Sequence, residues 1–171
     1  MDTVHIIGQI LGIIAVILGF ISFQMKSPGG ILFFQVITAL IFFCHYWLID
    51  AYTAMALNLI AAVQCVFYYF RDKRGSKSLV EPIFFTALIL VMSIITWEEW
   101  YSAFIMIGLA VNSVSLAFSD AQKIRISMFI KSPACLLYNA LVMSGGGTIY
   151  ECAVLISALI GTLRNRKLQS E

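Results

Sequence analysis

The chain has 171 residues, of which 61% are hydrophobic and only 12% charged, with a formal net charge of +2. A water-soluble domain carries about a quarter charged residues and under half apolar ones, so this chain cannot clothe itself for water. A bilayer removes that demand, and so small a net charge gives no reason to expect a nucleic-acid partner.

Seven apolar runs near 5–23, 30–48, 53–70, 79–96, 101–118, 126–143 and 148–163 have the length and composition of transmembrane helices. Short alternating segments of the kind that build a lipid-spanning barrel are absent. The first run lacks a basic leader and a small-residue cleavage site, and is expected to be a retained helix. It carries Gly8, Gly12, Ala15, Gly19 and Ser22 on one stripe. Such a stripe lets another helix approach closely, and packing within the chain is preferred over dimerisation. The second run places Gln35, Thr38 and His45 along one face and closes on Trp47. The third holds Asn58, an amide that is costly against lipid. Trp97 and Trp100 flank Glu98 and Glu99 after the fourth, the usual place for an aromatic belt. The fifth bears Gly108, Asn112, Ser115 and Ser119 on a face expected to point inward. In the sixth, Lys131, Cys135, Tyr138 and Asn139 share a face, Ser132-Pro133 predicts a kink, and Lys131 is expected to snorkel to the cytoplasmic surface. The seventh opens on Gly145-Gly146-Gly147. There Thr148 and Glu151 read either as a capping box or as a binding carboxylate at a helix start. The four cysteines, Cys44, Cys65, Cys135 and Cys152, have no CxxC spacing and read as small buried side chains.

Basic residues set the orientation. Lys26, the group Arg71, Lys73, Arg74 and Lys77, the pair Lys123 and Arg125, and the group Arg164, Arg166 and Lys167 all fall on alternate connections. The other connections carry Asp50, Glu98 and Glu99 and no Lys or Arg. The N-terminus is expected outside and the C-terminus in the cytoplasm.

A shift of 93 residues lays Arg71-Asp72-Lys73-Arg74 on Arg164-Asn165-Arg166-Lys167, Asn58 on Glu151 and His45 on Tyr138. A slightly different shift lays Gly12 on Gly108 and Gly19 on Ser115. Three helices reverse direction, so a fourth must restore it before a parallel copy can follow. The expected fold is therefore all-α: a polytopic membrane protein of seven transmembrane helices, as two parallel three-helix repeats joined by a linker helix. Its units are residues 1–74, 75–99 and 100–171.

No HExxH, GxSxG or Walker motif occurs, and neither enzymatic activity, nor a cofactor, nor a metal is expected. The first functional expectation is a small-solute transporter working by alternating access between the two triplets. Its substrate site would hold Gln35, His45, Asn58, Asn112, Asn139 and Glu151. The alternative is a non-transporting scaffold or partner-binding subunit whose polar residues are interhelical glue. Expected partners are the lipid bilayer and a small polar or cationic solute, with homo-oligomer formation left open.

Leu137-Tyr138-Asn139, Gly146-Gly147-Thr148-x-x-Glu151 and Ala56-Leu57-Asn58, with His45 before an outer turn and Arg125 before the sixth run, resemble the YgjV family of bacterial inner-membrane proteins. That resemblance implies location and fold more than chemistry. The three-plus-one-plus-three plan also looks like that of the SWEET sugar transporters and the related nicotinamide-riboside carriers. In SWEETs, paired asparagines on the third and seventh helices face the sugar. Here those places hold Asn58 and Glu151, and the carboxylate argues against a neutral sugar. The proline-glutamine motif of the PQ-loop relatives is missing: Gln24 ends the first run without its Pro.

Overall fold

The computed structural model describes residues 3–74, 78–118 and 120–170, with side chains from Ile6 to Arg164 within those bounds. Among these residues the chain forms seven helices and no strand: α1 (Thr3–Gln24), α2 (Pro28–Leu48), α3 (Tyr52–Arg74), α4 (Val80–Ile95), α5 (Ser102–Leu116), α6 (Ala121–Leu141) and α7 (Gly145–Ser170). Four of them, α1, α2, α3 and α7, are long and apolar enough to cross a membrane, and α4 and α5 are shorter apolar helices. Ser119 of the expected inward face and the Gly75–Lys77 connection lie outside the described residues.

Capping residues set the helix starts. The Ser27 hydroxyl accepts from the Gly30 amide at 3.2 Å, and Pro28 takes the first turn, where its missing N–H costs nothing. Asp120 accepts from the Gln122 and Lys123 amides, at 2.8 and 3.4 Å, so α6 begins five residues before the expected 126. Glu98, in the α4–α5 connection, accepts from the Tyr52 and Thr53 amides at 3.0 and 3.3 Å and caps α3 from outside its own helix. Helix α6 runs on through Pro133.

Hydrogen bonds between helix ends fix an up-and-down order. At one end His45, closing α2, meets the Gly8 carbonyl of α1 at 2.6 Å and the Ser144 hydroxyl before α7 at 2.7 Å. At the same end Thr53 of α3 donates to the Thr96 carbonyl after α4 and lies 3.5 Å from the Ser102 hydroxyl of α5. At the other end Arg125 of α6 donates to the Phe23 and Met25 carbonyls. There Arg164 of α7 donates to the Gln24 carbonyl at 2.7 Å, and Arg71 of α3 to the Ala117 carbonyl at 2.8 Å. Arg71 and Arg125 are buried, so these two cations bind carbonyls inside the bundle rather than only marking its surface.

The helices pack as a ring in the order α1, α2, α3, α5, α6, α7 and back to α1, with α4 against α3 and α5, while α2 and α6 touch across the middle. The small-residue stripe of α1 works within the chain. A Cβ on Gly12 would lie 2.7 Å from the Gly146 Cα of α7, and one on Gly19 would run into the Tyr150 ring. Cys65 and Cys135 are buried as expected, whereas Cys44 and Cys152 lie on outward faces.

Several features recur at the spacing that separates Tyr46 from Asn139, 93 residues. Asp50 and Met143 both take left-handed backbone, at φ 58° and 55°. Each closes a helix in the same way. The Ala51 amide reaches back to the Tyr46 carbonyl at 3.0 Å, and the Ser144 amide to the Asn139 carbonyl at 2.9 Å. Arg71 and Arg164 both hold the final carbonyls of a neighbouring helix. Gln64 donates to the Ser113 carbonyl at 3.1 Å, and Ser157 to the Phe20 carbonyl at 2.8 Å.

A candidate central ion-pair site

Helices α6 and α7 carry two buried charges that meet inside the ring. Lys131 lies midway along α6, and its Nζ stands 2.6 Å from Glu151 Oε1, with side chains only 9% and 5% exposed. This overturns the snorkelling expectation, because the ammonium is paired with a carboxylate inside the bundle. It also overturns the Thr148–Glu151 capping box. The cap of α7 is Ser144, whose hydroxyl accepts from the Gly147 amide at 3.1 Å, while Gln9 of α1 takes the Gly146 amide at 2.9 Å. Thr148 donates back to the Ser144 carbonyl. Helix α7 therefore begins at Gly145, and Glu151 sits two turns in, where it pairs with Lys131.

The pair is not saturated. Glu151 Oε2 has no hydrogen-bond partner among the described residues, with the weakly donating Cys135 thiol beside it. The Lys131 ammonium lies over the Tyr150 ring, 5.4 Å from its centre.

Beside the pair is a cavity of about 30 Å³. A polar void needs about 10–15 Å³ to hold one water, so this one takes about two waters and no metabolite. Gln35, Thr38, Phe42 and Tyr46 of α2 form one wall, with Asn58 and Cys65 of α3 and Asn112 of α5 adjoining. Asn58 spends one amide hydrogen on the Ala54 carbonyl at 2.8 Å and keeps its other donor and its acceptor. The amides of Gln35 and Asn112 make no side-chain hydrogen bond to a described residue.

The structure thus gathers four of the six expected residues, Gln35, Asn58, Asn112 and Glu151, on one cavity. His45 and Asn139 are not in its lining. His45 is held between Gly8 and Ser144, and Asn139 accepts from the Tyr46 hydroxyl at 2.6 Å, on the side where α7 begins. Lys131 is the residue that sequence reasoning misassigned. The signal was available: a second intramembrane charge of opposite sign on the adjoining helix. Phe42, Tyr46 and Tyr150 were missed as well, since aromatics in apolar helices carry no signal of their own. Among the described residues no group of three or more His, Cys, Asp or Glu is placed to hold a metal ion.

A family model for bacterial inner membrane proteins matches residues 6–169, nearly the whole chain. The chain belongs to the Imp-YgjV family. No curated protein and no solved structure matches it. An Imp-YgjV protein resides in the inner membrane, which accounts for the outward apolar side chains of this bundle. Ile10, Ile17, Phe70, Ile83, Ile130 and Ile156 are all more than half exposed, a surface suited to contact with lipid. Trp47, Trp97 and Trp100 are exposed too, grouped at the end where α3, α5 and α7 begin.

Proposed function

We propose that this protein carries a small solute across the bacterial inner membrane by alternating access, without catalysing a reaction, and that the present structure is its occluded form. The observation that carries this reading is the small cavity within the helix ring, lined by a buried ion pair and by amides with unused hydrogen-bonding capacity. Bundles held only by packing have no use for such groups at their axis, because each costs free energy away from water. Hydrogen bonds tie the helices together on either side of the cavity, Tyr46–Asn139 and His45–Ser144 at one end and the Arg71, Arg125 and Arg164 contacts at the other. Opening one set while the other holds is what alternating access requires.

Two parallel triplets, α1–α3 and α5–α7 with α4 as linker, are the moving bodies in this reading. The recurrences at 93 residues support it: matched turns, matched Arg-to-carbonyl bonds and matched α3–α5 and α1–α7 bonds. The same shift sets Gly19 against Asn112, so the alternative that set it against Ser115 is dropped. Tyr46 and Asn139, 93 residues apart, are bonded to each other, as counterparts beside a pseudo-two-fold axis would be.

The N-terminus is assigned to the outside, on the sidedness of Lys and Arg. Gly146, buried against Gly12, cannot take a reporter side chain, so exposed sites serve better. Met143→Cys, at 83% exposure, should react with an impermeant maleimide added to intact spheroplasts, and Leu79→Cys, at 81%, only after lysis. The opposite pattern would invert the topology.

Access is tested with a natural reporter. Cys135 lines the cavity and is buried. In a variant whose other three cysteines are Ala, a small methanethiosulfonate should label Cys135 within minutes in native membranes, and faster than after the two triplets are cross-linked. The scaffold reading is favoured by the many satisfied interhelical bonds, of Gln24, Gln64 and His45 among them. It expects no labelling until the protein unfolds.

A further inference from the structure

We infer that the cargo of this cavity is a small zwitterion of zero net charge, docked head to tail on the Lys131–Glu151 pair; the inference rests on the carrier reading above. The pair cancels its own charge at 2.6 Å, so the cavity as a whole is electrically neutral. A net cation or anion entering it would bring an unbalanced charge into a buried site with room for little water, the arrangement that buried sites reject most strongly. This removes the reason for expecting a cationic solute, which assumed an unpaired Glu151.

Neutrality alone would admit any uncharged molecule, and the unused valences narrow it. Among the described residues Glu151 Oε2 has no partner beyond the weakly donating Cys135 thiol, on a residue only 4% exposed. Lys131 has three N–H donors and gives one to Oε1. A ligand ammonium on Oε2 and a ligand carboxylate on the remaining Lys131 donors would complete a square of four charges alternating in sign. Each charge in the square then has two opposite neighbours and no like one beside it. Phe42, Tyr46 and Tyr150, which also line the cavity, suit an ammonium group. The facing wall has no charge: Thr38 and Asn58 stand at the positions that correspond to Lys131 and Glu151 under the 93-residue shift. One charged wall and one neutral wall give a zwitterion a single orientation, with its uncharged part toward α2 and α3. The cavity as it stands holds about two waters, so the solute must be small, and its entry must part the triplets.

The test labels Cys135, in the variant retaining only that cysteine, with three methanethiosulfonates of matched size. They bear a trimethylammonium, a sulfonate or an amino-carboxylate group, and so are cationic, anionic and zwitterionic. Each rate is divided by that reagent's rate with free mercaptoethanol, which cancels intrinsic reactivity. The zwitterion should lead both ions by about tenfold or more, the factor that one modest uncompensated charge commands. Glu151→Gln should move the preference to the sulfonate, and Lys131→Gln to the trimethylammonium. Equal normalised rates, or a lead for either ion in the otherwise native site, would overturn the zwitterion while leaving access, and the carrier reading, intact. No labelling by any reagent would overturn the carrier reading and this inference with it. Should either charge variant fail to fold, the comparison in the native site decides alone.

Discussion

Glu151→Gln and Lys131→Met should each lower the stability of the protein in detergent by about 3–5 kcal/mol, while the double variant should lose much less. The pair is buried on both sides, and its 2.6 Å contact is the only ion pair described between α6 and α7. Taking away one charge leaves the other in a low-dielectric interior without its counterion. Taking away both removes the desolvation cost along with the attraction, which is why replacing a whole buried pair is often near neutral. The measurement is a double-mutant cycle on thermal or denaturant unfolding of purified protein. Strong coupling is the expected outcome. Additive losses would mean that the two side chains do not meet, and the site would have to be redrawn. A capping role for Glu151 predicts little loss for Gln, so the same cycle separates the two roles that the sequence left open.

Gly12→Ala and Gly146→Ala should each cost about 1–3 kcal/mol despite the gain in helix propensity that alanine brings. At either site the added Cβ would lie 2.7 Å from the partner Cα, and backbone cannot step aside as a flexible side chain can. Helices α1 and α7 would have to separate along this seam. Glu151 lies little more than one turn beyond Gly146, so the ion pair and the cavity should loosen with it. Gly29→Ala is the control, because its Cβ would meet only the Tyr69 ring at 3.7 Å, an ordinary contact. It should melt like the parent or slightly higher. If Gly12→Ala also melts like the parent, the α1–α7 seam is wider than the 2.7 Å approach requires.

The helices were legible because apolar runs of membrane length have few other uses. Their starts were less so. The sequence reading began α6 at 126 and α7 at 148, whereas Asp120 and Ser144 cap them at 121 and 145. That error had a consequence for the site. Counted from 126, Lys131 lies near the helix start, close enough to water to snorkel. Counted from 121 it lies mid-helix, where only a counterion makes it tolerable. Glu151 moved the same way, from the helix start, where a carboxylate caps, to two turns inside, where it pairs. Asn58, Gln35 and Asn112 were read correctly as inward groups because an amide facing lipid is expensive. His45 and Asn139 obey the same rule, yet are held by Gly8, Ser144 and Tyr46 away from the cavity lining. Sequence alone cannot separate these cases, since partners 37, 99 and 93 residues away decide them.

The position of the two charges on consecutive helices bears on how the chain enters the bilayer. A lone Lys or Glu at the centre of a helix leaving the translocon raises the cost of insertion by about 2.5–3.5 kcal/mol. Here the connection between the two helices is only the turn at Val142, Met143 and Ser144. With so short a tether, α6 and α7 can meet before either faces lipid alone, and their charges can neutralise inside the hairpin. The last two helices are therefore expected to enter the bilayer as one unit, with Lys131 and Glu151 already paired.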